Sequence, residues 1–179
     1  MEPQKILDFW FEEIDPSLWF TKDEQFDAHI RKRFADTYNY VLAGHSKEWR
    51  KTPEGRLAEI IVLDQFSRNM FRDDKRAFAM DDLALHLAKE AVRSGDDRKL
   101  NATQKAFLYM PFMHSESKEA HEEALRLFSQ PGLEYNLKFE QAHKAIIDRF
   151  GRYPHRNKIL NRTSSVEEIE FLKQPGSSF

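Results

Sequence analysis

Cysteine is absent from the 179 residues, which removes disulfides, thiolate zinc sites and cysteine nucleophiles at once. That absence suits a reducing compartment, and we expect a cytoplasmic protein. Long apolar runs are missing too. None approaches the roughly 18 residues of a membrane span, so no membrane partner is expected. Met1-Glu2-Pro3 has neither the basic start nor the apolar run of a secretion leader. A surplus of positive charge is also lacking: the formal net charge is -2 and the isoelectric point about 6.4, which argues against an extended nucleic-acid track. The recognised chemical signatures are absent as well. The chain has no Gly-rich phosphate loop, no H-E-x-x-H and no G-x-S-x-G elbow. No segment alternates apolar and polar residues over a strand length, and no repeat recurs near 34 residues.

What remains is globular and aromatic. Hydrophobic residues make up 40% and charged residues 32%, with 15 Phe, so charge coats a surface around an aromatic interior. The length allows one domain, residues 1–179, with a core of ordinary size. Its helices are marked by their ends. Ile6, Leu7, Trp10 and Phe11 recur at helical spacing after Pro3, and Thr21 and Glu24 form a T-x-x-E box before a helix that Gly44 ends. Thr52-Pro53 opens a helix that is apolar all round, with Leu57, Ile60, Ile61 and Phe71 on one face and Val62, Leu63 and Phe66 around the rest. Phe78, Leu85, Ala88 and Val92 form the face of an alanine-rich helix. Asn101 caps another, again apolar all round, which is expected to bend or end near Pro111. A stripe of Phe139, Ala142, Ile146 and Phe150 contains His143, Gly151 stops that helix, and Ser165 with Glu168 forms a further capping box. The fold class is all-α, with short loops that favour antiparallel helix hairpins packed side by side.

Three stretches carry a resemblance: L-D-Q-F-S-R-N-M-F-R at 63–72, F-L-Y-M-P-F-M-H-S-E-S at 107–117 and R-F-G-R-Y-P-H-R-N at 149–157, with D-F-W-F at 8–11 before them. Together they resemble the bacterial family known as domain of unknown function 924, over nearly the whole chain. The resemblance implies a compact, tetratricopeptide-like right-handed array of helix hairpins. It brings no activity, cofactor or catalytic residue with it.

The polar residues inside these stretches are the candidates for function. Asp64 and Arg68 are an i, i+4 pair, ordinary on a wet helix surface but costly on an apolar face unless hydrogen bonds compensate. With Gln65 and Asn69 beside them they read as the lining of an internal polar pocket. From Arg149 to Arg162 the chain places Arg149, Arg152, His155, Arg156, Asn157, Lys158 and Arg162 together with no carboxylate among them. Such a run faces either the chain's own acids or an anion from outside, and guanidinium forks match carboxylate and phosphate. His114, Glu116 and His143 are the candidates for acid–base chemistry. His143 reads first as a hydrogen-bonded core residue, since a lone histidine on an apolar stripe is more often that than a ligand, while Ser115 and Ser117 read as helix caps. Convergence of His114, Glu116, His143 and His155 would be needed for a metal, and no spacing requires it, so no metal or cofactor is expected. The favoured function is recognition of a small anionic molecule or a peptide carboxylate at an Arg/His-lined centre. The alternative is a hydrolase using His/Glu acid–base chemistry, metal-assisted if those side chains converge, on an anionic substrate, and a bare interaction scaffold comes third.

Overall fold

Four helices begin on the side chains that the sequence offers as caps. Thr52 accepts the Gly55 amide, Asn101 and Gln104 cap one another's backbone, Ser117 accepts the Ala120 amide, and Ser165 pairs in the same way with Glu168. The elements come from a computed structural model that describes residues 2–179; Met1, where the leader argument starts, lies outside the described residues. In chain order the α-helices are α1 (Gln4–Asp8), α2 (Glu24–Leu42), α3 (Pro53–Ile61), α4 (Ser67–Met70), α5 (Asp81–Ser94), α6 (Ala102–His114), α7 (Lys118–Phe128), α8 (Glu134–Phe150) and α9 (Val166–Leu172). Short 3-10 turns link several of them, and no strand occurs among the described residues.

Two helices widen into π turns. α1 continues through Phe9–Glu13, and α3 continues through Val62–Phe66 into α4, so residues 53–70 form one rod with an extra residue inside it. That rod is the centre of the core. Leu57, Ile60, Ile61, Val62, Leu63 and Phe66 are all fully buried, and α3 packs on α1, α5 and α6. Gly55 near its start is required by close approach, because a Cβ there would stand 2.0 Å from the Trp49 carbonyl oxygen. On α5 the fully buried alanines are Ala84, Ala88 and Ala91, which allow it to lie close to α3 and α6.

Four sequence expectations are corrected. α2 is capped by Asp23, which accepts the Phe26 amide at 2.8 Å, while the Thr21 hydroxyl turns back to the Ser17 carbonyl at 2.6 Å. Aspartate is the stronger cap, and the helix starts two residues later than the T-x-x-E box implies. α6 does not end at Pro111 but runs on to His114, since Phe112 and Met113 are anchored in the core beyond it. The inner face of α5 is Ala84, Leu87, Ala88 and Ala91, with Leu85 and Val92 only partly covered. On α8 the buried stripe is Glu140, His143, Ile146 and Ile147, while Phe139 is 44% exposed. Glu140 turns inward because buried His121 meets it at 2.7 Å. The expectation of an all-helical chain stands. No described helix is long and apolar enough to cross a membrane.

Candidate functional site

The π turn at Val62–Phe66 carries Asp64 and Gln65, and the turn after it carries Arg68 and Asn69. A π turn shifts the register of a helix by one residue, and here Asp64 meets His114 at the end of α6 while Asn69 meets Asp27 on α2. Asp64 is fully buried, and its carboxylate meets His114 Nδ1 at 2.7 Å and Arg68 at 3.2 Å, with Gln65 donating as well. Burial opposes its ionisation, but the Arg68 charge and the hydrogen bonds from His114 and Gln65 outweigh that and hold Asp64 well below the usual carboxylate range. An ionised carboxylate only accepts, so His114 Nδ1 carries the proton and its Nε2 carries the lone pair. Burial pushes the His114 imidazole down, against the pull of Asp64, and keeps it neutral near pH 7.

Asp81, at the start of α5, joins the same group. Arg68 binds it through both guanidinium nitrogens at 3.0 Å, and Arg156 reaches it at 3.4 Å. Arg156 comes from the 3-10 turn Pro154–Arg156, donates to the His114 carbonyl at 2.9 Å, and lies 4.5 Å from the centre of the Phe78 ring. It is 5% exposed, and its Nε is buried without a partner among the described residues. Burial and the nearby Arg68 both lower its affinity for a proton. Two guanidiniums therefore share one aspartate, while the other aspartate is divided between Arg68 and His114.

Above this group opens a cleft of about 440 Å³. Gln65, Arg68, Asn69, His114, His143, His155 and Arg156 all line it, and aromatic residues close its sides: Trp19, Phe20, Phe78, Tyr135, Phe139 and Phe179. Four of these, Phe20, Tyr135, Phe139 and Phe179, are among the large apolar side chains that the fold leaves exposed. Burial lowers His143 to about 3 and, with Arg156 adding to it, His155 to about 4, so both imidazoles are neutral near pH 7. His143 donates from Nδ1 to the Phe139 carbonyl at 2.7 Å, which combines the core role and the cleft position in one residue. A smaller cavity of about 220 Å³ adjoins through His114 and Arg156 and is lined by Lys75, Asp82 and Glu116.

The remaining members of the sequence-predicted site lie elsewhere. Arg152 binds Glu168 at 2.7 and 2.8 Å, and Arg149 binds Glu167 at 2.8 Å. Glu116 is taken by Arg162 at 2.7 and 2.9 Å and by the Tyr153 amide, and Asn157 bonds to Ser164 and Arg162. None of Arg149, Arg152 and Asn157 lines the cleft. The run free of carboxylates is thus largely matched by acids from distant segments. Among the described residues, no group of three or more His, Cys, Asp or Glu side chains is placed to share a metal ion; His114 and Glu116 face separate partners.

Asp81, Arg72 and Asp27 were not legible as site residues. Arg72 lines the cleft while gripping buried Asp27, which also accepts from Asn69 at 2.8 Å. Arg72 stands inside the 63–72 motif, and its equal spacing from Arg68 was the available signal. Asp81 and Asp82 look like acids placed to favour a helix start, which conceals the role of Asp81. His121 and Glu140 are likewise a buried pair, with His121 Nε2 at 2.8 Å from the Ser115 carbonyl, bracing the turn that carries His114.

A search of curated proteins gives no match. Among solved structures, a protein of unknown function from Agrobacterium tumefaciens is similar over 96% of both chains, at 38% identity and a TM-score of 0.90. The sequence model of the bacterial proteins of unknown function DUF924 matches residues 6–176, and the chain belongs to that family.

Proposed function

We propose that this protein binds a small anionic molecule or a peptide carboxylate in the cleft above Asp64 and Asp81. The carrying observation is Arg156: a guanidinium only 5% exposed, sharing its one carboxylate with Arg68 at 3.4 Å, with Nε unpartnered. A buried guanidinium whose nearest carboxylate is shared and stands at 3.4 Å is further stabilised by an anion delivered through the cleft, where guanidinium–carboxylate or guanidinium–phosphate bonds gain from low dielectric. The aromatic sides suit a ligand with an apolar body, and the walls exclude water from the charged end. The chain acts as one domain in this reading, a tetratricopeptide-like array of helix hairpins supported by the successive packing of α5 on α6, α6 on α7 and α7 on α8. The lack of cysteine matches a cytoplasmic setting.

Titration calorimetry tests the proposal with phosphate, acetate and benzoate against the neutral benzamide. Binding of at least one anion, no binding of benzamide, and a loss of about tenfold or more in Arg156→Gln, partly recovered in Arg156→Lys, support it. Equal affinity of parent and Arg156→Gln for every anion removes it.

A second reading rests on the Asp64–His114 pair. A neutral imidazole with Nδ1 held by a buried aspartate presents Nε2 as an acceptor, which is the arrangement of a general base for hydrolysis. Turnover of p-nitrophenyl acetate that falls at least tenfold in His114→Asn favours this reading, and equal rates exclude His114 from such chemistry.

A further inference from the structure

The anion cleft described above has an apolar end, and that end holds a ring. Phe179, in the segment after α9, lies with its centroid 3.6 Å from that of the His143 imidazole, 4.6 Å from His155 and 5.1 Å from Tyr153. Tyr153 also touches the charged end, since the Arg156 guanidinium stands 4.7 Å from its ring centre. The ring position and the under-neutralised cation are therefore neighbours across a single side chain. His143 and Tyr153 are both held in place independently of Phe179, by the Phe139 carbonyl and the Met113 carbonyl respectively, so the ring position is built by the core.

The hold on Phe179 itself is light. The residue is 54% exposed, and among the described residues the segment before it makes one side-chain hydrogen bond, from the Ser177 hydroxyl to the Leu172 carbonyl at the end of α9 at 3.2 Å. Gly176, at φ +76°, turns the segment toward the cleft in a conformation that few other residues adopt. A ring with half its surface exposed gains little from burial, and separating it from its neighbours is correspondingly easy.

Resting on the anion-binding reading, we propose that the cleft contains an aromatic-ring subsite formed by His143, His155 and Tyr153, that its ligands are anions carrying an aromatic ring, such as an aromatic amino-acid or peptide carboxylate, and that Phe179 occupies this subsite until such a ligand displaces it. The two uncharged imidazoles meet the ring in tilted and edge-on contacts, as they meet Phe179 at 49° and 69°, and Arg156 receives the carboxylate. An internal occupant present for about nine-tenths of the time weakens the apparent affinity about tenfold, because only the remaining fraction of molecules is open.

The probe is N-acetyl-L-phenylalanine, with its neutral amide, acetate and inorganic phosphate as controls, titrated into the full chain and into Phe179→Ala. The expected result is binding of the acid about tenfold tighter to Phe179→Ala, weaker binding of the amide to both, and phosphate binding that does not change between them. Histidine-ring NMR gives an independent readout. The His143 ring protons lose the ring-current shift of Phe179 in the variant and regain a comparable shift when N-acetyl-L-phenylalanine is added. Equal affinity of the acid for both proteins, or a His143 signal that the added ring does not move, overturns the proposal. If the parent and Phe179→Ala bind phosphate but the aromatic acid binds no tighter than acetate, the ring subsite fails while the anion site survives. If neither binds any anion, both readings fall.

Discussion

Arg152 and Arg156 stand four residues apart in one cationic stretch, yet the fold treats them in opposite ways. Arg152 belongs to an outer set in which each arginine has its own glutamate: Arg149 with Glu167, Arg152 with Glu168, Arg162 with Glu116. Arg156 belongs to an inner set in which Arg68, Arg156 and His114 divide Asp64 and Asp81 among themselves. The outer set tethers α9 and the loop before it, and its charges are matched one to one. The inner set is buried and shares its acids: two aspartates serve two guanidiniums and the His114 imidazole, with Arg156 reaching Asp81 only at 3.4 Å, and the proposed anion site rests on that weak share. The lesson is that the count of arginines says little about a binding site; the number of carboxylates each one owns says much more.

The strongest way to break this contrast is to remove an inner arginine. Arg68→Ala leaves Asp64 and Asp81 with less compensation inside the core, and the expected loss is about 3 to 5 kcal/mol of unfolding free energy. Urea denaturation measures it, and a loss below about 1 kcal/mol places the pair in an environment as forgiving as the surface. Asp64→Asn combined with Arg68→Ala should cost less than the sum of the two single changes, because each single change strands the other group.

Acid tests the same region through its histidines. His143 and His155 are neutral in the fold down to about 3 and about 4, whereas an unfolded chain takes up protons near the ordinary value of 6.5. Between pH 6.5 and 4 the unfolded state therefore binds more protons, and stability falls as the pH falls. Each histidine contributes up to about 1.4 kcal/mol per pH unit in that window. His143→Leu should flatten the acid limb of unfolding free energy by that amount, and a limb of unchanged slope would mean that His143 is protonated in the fold.

Outer pairs provide the contrasting small effects. Arg152→Ala removes a two-pronged contact from Glu168, which keeps its hydrogen bond from the Ser165 amide, and about 1 kcal/mol is expected by thermal denaturation. Arg149→Ala, at a pair whose side chains are 48% and 64% exposed, should change stability by only a few tenths of a kcal/mol. Reversal of that order relative to Arg68→Ala would erase the distinction between the two sets.

The division between legible and hidden features follows from distance along the chain. Caps at Thr52, Asn101, Ser117 and Ser165 are local chemistry, settled within three residues, and they stand where the sequence puts them. The burial of Asp64 follows from its place on an apolar helix, and that too was legible. The π turn at Val62–Phe66 was not, because a helical wheel assumes one fixed rotation per residue and the bulge breaks that assumption. Partner choice was the other hidden layer. Arg156 meets an aspartate 75 positions away and Arg162 a glutamate 46 positions away, and no local pattern encodes such pairings. On α8 a buried Glu140 displaced Phe139 to the cleft mouth, a reversal of ordinary hydrophobicity that follows only from His121 on the neighbouring helix.

The most direct test of the central claim compares two variants of near neighbours. Melting temperatures of the parent, Arg152→Gln and Arg156→Gln are measured over increasing phosphate at constant ionic strength. A site filled to one hundred times its dissociation constant adds about 2.7 kcal/mol to the folded state. An upward shift is expected in the parent and in Arg152→Gln, and none in Arg156→Gln. A shift that survives in Arg156→Gln and disappears in Arg152→Gln would contradict it, as would a parent protein whose melting temperature does not respond to phosphate, acetate or benzoate.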